Sequence, residues 1–216
     1  MISEKEKYVA YCQDNPDIPI FYNHWWLDAV SENGDWKALI AADKNGKTQG
    51  VWPLYIEKKL GQSIIKMPAI TPYLGPHIKE PSHLTKLNSI YSHNRKTLNK
   101  LIEQIPDFLY FNVLCHPSFK QLLPLKWKSY KQTNELSYVL EDIRDTKKVY
   151  EGFASSLRNK ISKAEKNLTV EKAETLEPLV SLIDKTFSKQ KLKSKISLSF
   201  LQKLTNAIKE NGADYM

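Results

Sequence analysis

WKALIAAD (residues 36–43), KNG (44–46) and KTQGVWPLYIEKK (47–59) decide the fold. The two outer runs, rich in apolar and aromatic residues, flank Asn45-Gly46, a dipeptide suited to the positive φ angles of a type I′ turn. Together they predict an antiparallel hairpin. A second tight connection at Leu60-Gly61-Gln62 leads to SIIKMP (63–68), a third antiparallel strand. Pro53 cannot donate a ladder hydrogen bond, so its strand is an edge there or carries a bulge. The loop AITPYLGPHI (69–78) follows. Upstream, Ser3 to Gln13 reads as a short amphipathic helix, and Asn23 as the N-cap of a helix running to about Glu32, with Gly34 beyond its end. Downstream, Pro81 to Ile105 reads as a helix or helix pair with Leu84, Leu87, Ile90, Leu98 and Leu101 on its inner stripe. FLYFNVLC (108–115) reads as a buried strand. A short helix or turn around Pro117 to Leu123 then precedes two further strand candidates, WKSYKQ (127–132) and SYVLE (137–141). This order predicts an α+β domain with a mostly antiparallel sheet, complete near Asp145.

From residue 146 the pattern changes. Asp145 can cap a helix from Thr146 to about Asn167, with Val149, Phe153, Leu157, Ile161, Ala164 and Leu168 at helical spacing. LTVEKA (168–173) is a strand candidate. Helices from Leu176 to Lys189 and from Ser197 to Glu210 follow, the second capped by Ser197 or Ser199 and ended by Asn211-Gly212. The expectation is therefore a first domain over 1–145 and the opening of an incomplete, helix-rich second unit over 146–216. The rest of that unit would lie in further sequence or come from a partner. The alternative is a small helical subdomain docked on the first domain.

The 216 residues include 32 Lys and Arg against 24 Asp and Glu, a formal net charge of +8. The charge is uneven: Thr146 to Glu210 holds 14 basic and 7 acidic residues, whereas the first 145 residues are close to neutral. A basic half can face a polyanion, an anionic cofactor or a phosphorylated substrate, or it can simply solvate helices. Only Arg95, Arg144 and Arg158 are arginines, and the basic segment has few aromatics. That composition argues against specific nucleic-acid binding, with tRNA the one exception kept open. At 26% charged and 41% hydrophobic residues the chain has a globular composition. No apolar run approaches membrane-helix length, and no signal-peptide stretch opens the chain, so a cytoplasmic location is expected. Cys12 and Cys115 are far apart and outside any metal spacing, and no metal site is expected.

FYNHWWLDAV (21–30), the Asn45-Gly46 hairpin, Pro53-Leu54-Tyr55 and Met67-Pro68 through Gly75-Pro76 stand in the order found in Fem-like proteins. LRNKISKAEK (157–166) follows in its expected place. On these elements the chain resembles the FemAB peptidoglycan-bridge aminoacyltransferases and their acetyltransferase-like relatives of the GNAT superfamily. The resemblance implies two GNAT-like domains in tandem, the second incomplete here. It implies transfer of an acyl or aminoacyl group, from acyl-CoA or aminoacyl-tRNA, to an amine acceptor that is a small molecule or a cell-wall precursor. Leu74 stands where family members often carry a basic residue, and the helical arm of tRNA-using members is absent, so generic acyl transfer leads. The other reading is a non-catalytic GNAT-like binding module for an anionic cell-wall precursor or a protein. No Gly-rich phosphate cradle is visible, which puts any donor site beyond Met216.

Acyl transfer to an amine needs a deprotonated amine, a polarised carbonyl and close alignment of the two, and no covalent intermediate. The five histidines are scattered and read as non-catalytic, so no catalytic residue is assigned. Arg158 is the first substrate-binding candidate, because a guanidinium clamps phosphate or carboxylate in a bidentate way. In the Fem-like pattern the matching arginine contacts an anionic part of the substrate. An exposed arginine paired with Glu151 or Glu165 is the competing reading. Lys160 lies near the apolar edge, where a snorkelling stem is the ordinary role. In TPYLGP (71–76), Gly75 permits close approach of the backbone and Tyr73 offers a hydroxyl and a flat face, as a substrate loop or as a rigid turn. Trp26 either anchors its helix on the sheet or walls a groove. Lys66, beside Met67-Pro68, completes the candidate set.

Overall fold

The computed structural model describes residues 3–140, 142–171 and 173–213. Helix α1 (Glu4–Gln13) opens with a capping box: Ser3 accepts from the Glu6 amide while the Glu6 carboxylate accepts from the Ser3 amide. A 3₁₀ turn (Ile20–Tyr22) leads into α2 (His24–Val30). The hairpin follows as β1 (Asp35–Ala42) and β2 (Thr48–Lys59), then β3 (Gln62–Lys66), all antiparallel.

The Asn45-Gly46 connection is a turn, but not of the mirror-image type. Only Gly46 takes a positive φ, +82°. The Asp43 carboxylate instead holds the turn by accepting the amides of Asn45 (2.9 Å) and Lys47 (3.0 Å). The mirror-image geometry belongs to the second connection, where Leu60 (φ 50°) and Gly61 (φ 78°) are the two central residues and Lys59 pairs with Gln62.

Strand β2 explains Pro53. On one side it pairs with β1 from Thr48 to Ile56, Pro53 lying opposite Ala38. On the other side its first half pairs with β4 (His77–Ile78) and its second half, from Tyr55, with β3. Trp52, Pro53 and Leu54 fall in the gap between, so the residue without an N–H sits where the strand is an edge. The loop 67–76 leaves the sheet at this gap. Helix α3 (Leu87–Ile102) then crosses to the far face, and β5 (Tyr110–Phe111) returns parallel to β3. The architecture is a mixed α/β one, with sheet order β1-β2-β3-β5 and β4 against β2 among the described residues.

The sheet separates two cores. Leu39, Trp52, Leu54 and Ile65 face Leu98, Leu101 and Ile102 of α3 and Leu125 of the short helix α4 (Leu123–Trp127). Trp36, Ala38 and Val51 point the opposite way, onto Tyr8, Tyr11 and Cys12 of α1 and Tyr22, Leu27 and Leu74. The stripe on α3 begins later than its leucines suggest: Leu87 is exposed, and Asn94 and Thr97 are buried with Leu98 and Leu101.

Beyond β3 the strand expectations thin out. FLYFNVLC forms only the two-residue β5, with Phe108, Leu109 and Tyr110 exposed, because no further strand covers its outer edge among the described residues. WKSYKQ and SYVLE form no strand: Trp127 ends α4, and Leu136, Tyr138 and Val139 are solvent-exposed, Glu141 lying outside the described residues. LTVEKA likewise forms none where described, Val170 being exposed and Lys172 lying outside the described residues.

Asp145 does cap a helix, accepting from the Lys148 amide, but the helix breaks. Helix α5 (Thr146–Gly152) ends at its glycine, Phe153 and Ala154 are extended, and α6 (Ser155–Asn167) starts anew. Neither helix has a buried residue, nor does α7 (Glu177–Lys189). Helix α8 (Leu198–Glu210), capped by Ser197, differs: Phe200, Leu201, Leu204 and Ile208 bury against Trp26, Ala29 and Val30 of α2. The Lys203 ammonium adds a 2.9 Å hydrogen bond to the Asp28 carbonyl. No helix among the described residues is long and apolar enough to cross a membrane.

Candidate functional site

The loop at the gap in the sheet is held by side chains from every neighbouring element. The Trp26 indole N–H donates to Thr71 Oγ1 at 3.0 Å, and the Thr71 hydroxyl donates to the Ala69 carbonyl at 3.1 Å. Phe21 stands edge-on between Trp26 (4.8 Å) and Tyr73 (5.2 Å), and Tyr73 in turn meets His116 at 4.5 Å. Such edge-to-face contacts fix ring orientation as well as burying area. Behind Tyr73, Leu74 is fully buried in the gap. Its amide donates to the Leu114 carbonyl (2.8 Å), and its own carbonyl accepts from the Trp52 indole (3.1 Å). A basic side chain at position 74 would place a charge among α1 and sheet residues, which accounts for leucine there.

The space beside Gly75 is taken by the chain itself. A Cβ at this position would lie 2.8 Å from Cys115 Sγ and 2.9 Å from Cys115 Cα. The close backbone approach expected of Gly75 is therefore made by the segment after β5.

The surrounding titratable groups lean to their neutral forms. Burial pushes the Cys115 thiol up to about 11. Burial also lowers His77 and His116 from the ordinary imidazole value, and Tyr11 Oη lies 2.8 Å from His77 Nδ1. Burial raises Tyr22, against a smaller lowering by the backbone of Gly75 and His116.

Lys66 sits on the same side of the sheet as α2. It pairs with Tyr55 in register, and its ammonium lies 2.9 Å from the Glu57 carboxylate, which also accepts from the Tyr55 hydroxyl at 2.8 Å. Burial alone would raise Glu57, but the hydrogen bonds from Lys66 and Tyr55 outweigh it and hold the carboxyl below its usual range. Lys195, between α7 and α8, acts on the same carboxylate through space. Ile196, Val180 and Ile183 pack, as Phe21 and Trp25 do, against the cluster that α8 forms on α2. The α7–α8 segment thus reaches the aromatic wall that carries Tyr73.

Trp26, Tyr73 and Gly75 are therefore gathered around one loop, with Lys66 at the strand end from which that loop departs. Arg158 and Lys160 stand apart on α6. The Arg158 guanidinium donates to the Glu151 carbonyl at 3.1 Å, at the C-terminal end of α5, where a cation is favoured. No hydrogen bond, ion pair or ring contact joins Arg158 or Lys160 to the loop among the described residues. No group of His, Cys, Asp and Glu side chains able to hold a metal occurs among the described residues.

Residue-by-residue reading of the sequence missed Phe21, Glu57, Cys115 and His116. For Glu57 a signal existed: a two-residue turn at Leu60-Gly61 sets Tyr55 opposite Lys66, and alternation puts Glu57 on the face of Tyr55. For Cys115 and His116 there was none, because a long excursion through α3 brings them back to the loop.

No protein-family model matches the chain, and no curated protein matches it. Among solved structures, the crystal structure of FemX is similar, with a TM-score of 0.57 and 19% sequence identity, over 98% of this chain and 55% of that one. The chain thus has a Fem-like fold and spans about half the length of that structure.

Proposed function

We propose that the chain is part of a Fem-like, GNAT-fold transferase that moves an acyl or aminoacyl group to the amine of a cell-wall precursor. The observation that carries this reading is the likeness to FemX along almost the whole chain. In it, the chain divides near residue 145 into a GNAT-like domain and the opening of a second one. The acceptor lies against Tyr73 and the outer face of its loop, which Trp26 and Gly75 hold in place from within, with Lys66 at the strand end and Arg158 and Lys160 contributing positive charge from α6. The donor is acyl-CoA or aminoacyl-tRNA. The chemistry assigned to these residues is alignment and charge neutralisation, which is sufficient when the nucleophile is the acceptor's own amine.

One observation favours a second reading, a binding module without transfer. The groups at the loop are a raised thiol, two lowered imidazoles and a carboxylate already engaged by Lys66 and Tyr55. The protonated thiol and the engaged carboxylate offer no base, and each neutral imidazole already has a ring nitrogen on a neighbouring hydroxyl, His77 on Tyr11 and His116 on Ser118. The two readings separate in one assay: a peptide bearing the precursor's free amine is incubated with the chain and each donor, and its mass is followed. A donor-dependent mass gain supports transfer. Saturable binding without a gain supports the module, and neither result overturns both.

A further inference from the structure

A recess of about 900 Å3 lies between the β1–β2 turn, residues 79–84 and the face of α3 from Asn88 to Lys100. Four lysines line it, Lys47, Lys79, Lys96 and Lys100, together with His83 and His93, against two acids, Asp43 and Glu80. Both acids keep their charge while making structural contacts, which leaves the lysines in excess by two. Asp43 accepts two turn amides on one oxygen and the Gln49 amide (3.0 Å) on the other. Glu80 accepts from Asn94 at 2.8 Å.

The lysines are not neutralised. Lys79 and Lys100 reach only backbone carbonyls, of Asp14 (3.4 Å) and Ala42 (2.6 Å), which hold the ammonium groups without cancelling their charge. Lys47 and Lys96 make no ion pair, and no side-chain hydrogen bond of theirs occurs among the described residues. Helix α3 adds to the same field. It begins without a side-chain cap and with no acid in its first turn, and its second and third residues, Asn88 and Ser89, line the recess. The Ser89 amide already donates to the Lys86 carbonyl (2.9 Å), so the sixteen-residue helix favours an anion through its positive end rather than through that amide.

We propose that this recess binds the phosphate or diphosphate group of a small molecule. A concave wall focuses the field of unpaired cations, and hydroxyls of Ser82, Ser89 and Ser92 supply further donors. The volume suits a ligand of metabolite size. No Phe, Tyr or Trp lines the recess, so it offers no platform for stacking the bases of a nucleic acid, and recognition rests on the anion.

The test uses the 216-residue chain and inorganic pyrophosphate, titrated calorimetrically at about 0.15 M salt, where exposed charge is largely screened. Saturable binding is expected, weakened about tenfold by Lys96→Gln and by Lys47→Gln. Lys126→Gln, on α4 and outside the recess, leaves it unchanged. Both recess lysines are exposed, so thermal melts of these variants should match the parent. Absence of saturable binding, or equal weakening by Lys126→Gln, overturns the proposal.

Discussion

Gly75→Ala is the sharpest test of how the loop is held. The added methyl would meet Cys115 at its Sγ, Cα and Cβ, at 2.8, 2.9 and 2.9 Å. Ordinary contact begins near 3.4 Å, so one segment must give by about half an ångström. Neither is free to do so: Leu74 is tied to Leu114 on one side and to Trp52 on the other. Overpacking of this kind costs about 2 kcal/mol. For a chain of this size that lowers Tm by roughly 4–8 °C. Thermal denaturation followed by tryptophan fluorescence measures it directly. Cys115→Gly in the same background removes two of the three close contacts and should restore part of the loss, a coupling that a double-mutant cycle reads. A Tm change below about 1 °C for Gly75→Ala, or no coupling to Cys115, would refute the packing argument.

Leu60 occupies a left-handed turn position with its side chain in solvent, so Leu60→Asn should stabilise by about 1 kcal/mol, seen as a higher urea midpoint. His77 and His116 have lowered folded values, so their contribution is present above the unfolded imidazole pKa and is lost as pH falls through the folded one. Tm should drop between pH 7 and pH 5, and less so in a His77→Asn/His116→Asn double variant; an undiminished drop contradicts this assignment. Cys12 and Cys115, both pushed up to about 11, hold about 200-fold less thiolate at pH 8 than a free cysteine. Alkylation of the native chain should be correspondingly slow and become fast in denaturant.

What the sequence revealed divides along the line between local and long-range physics. The three-stranded antiparallel unit, the caps at Asp145 and Ser197, and the stop at Gly212 depend on neighbours in the chain, and all are present. Even Pro53 was readable, since a missing N–H demands an edge. The apolar runs after residue 107 were over-read as strands because composition does not reveal whether a sheet edge is available. Phe108 and Tyr138 have the right residue type and no partner strand among the described residues. The aromatic wall was half legible: Trp26 and Tyr73 came from the motifs, whereas Phe21 between them and His116 behind them are set by tertiary packing. The Glu57–Lys66 pair was recoverable from hairpin register alone.

The reading of the chain as a Fem-like transferase rests on one acceptor surface built from the 71–76 loop and supplemented by α6. Amide hydrogen exchange with and without an amine-bearing cell-wall precursor addresses it most directly. Slowed exchange at both 71–76 and 155–167 is the predicted result. Unchanged exchange at 71–76, under conditions where the precursor is bound, would contradict it.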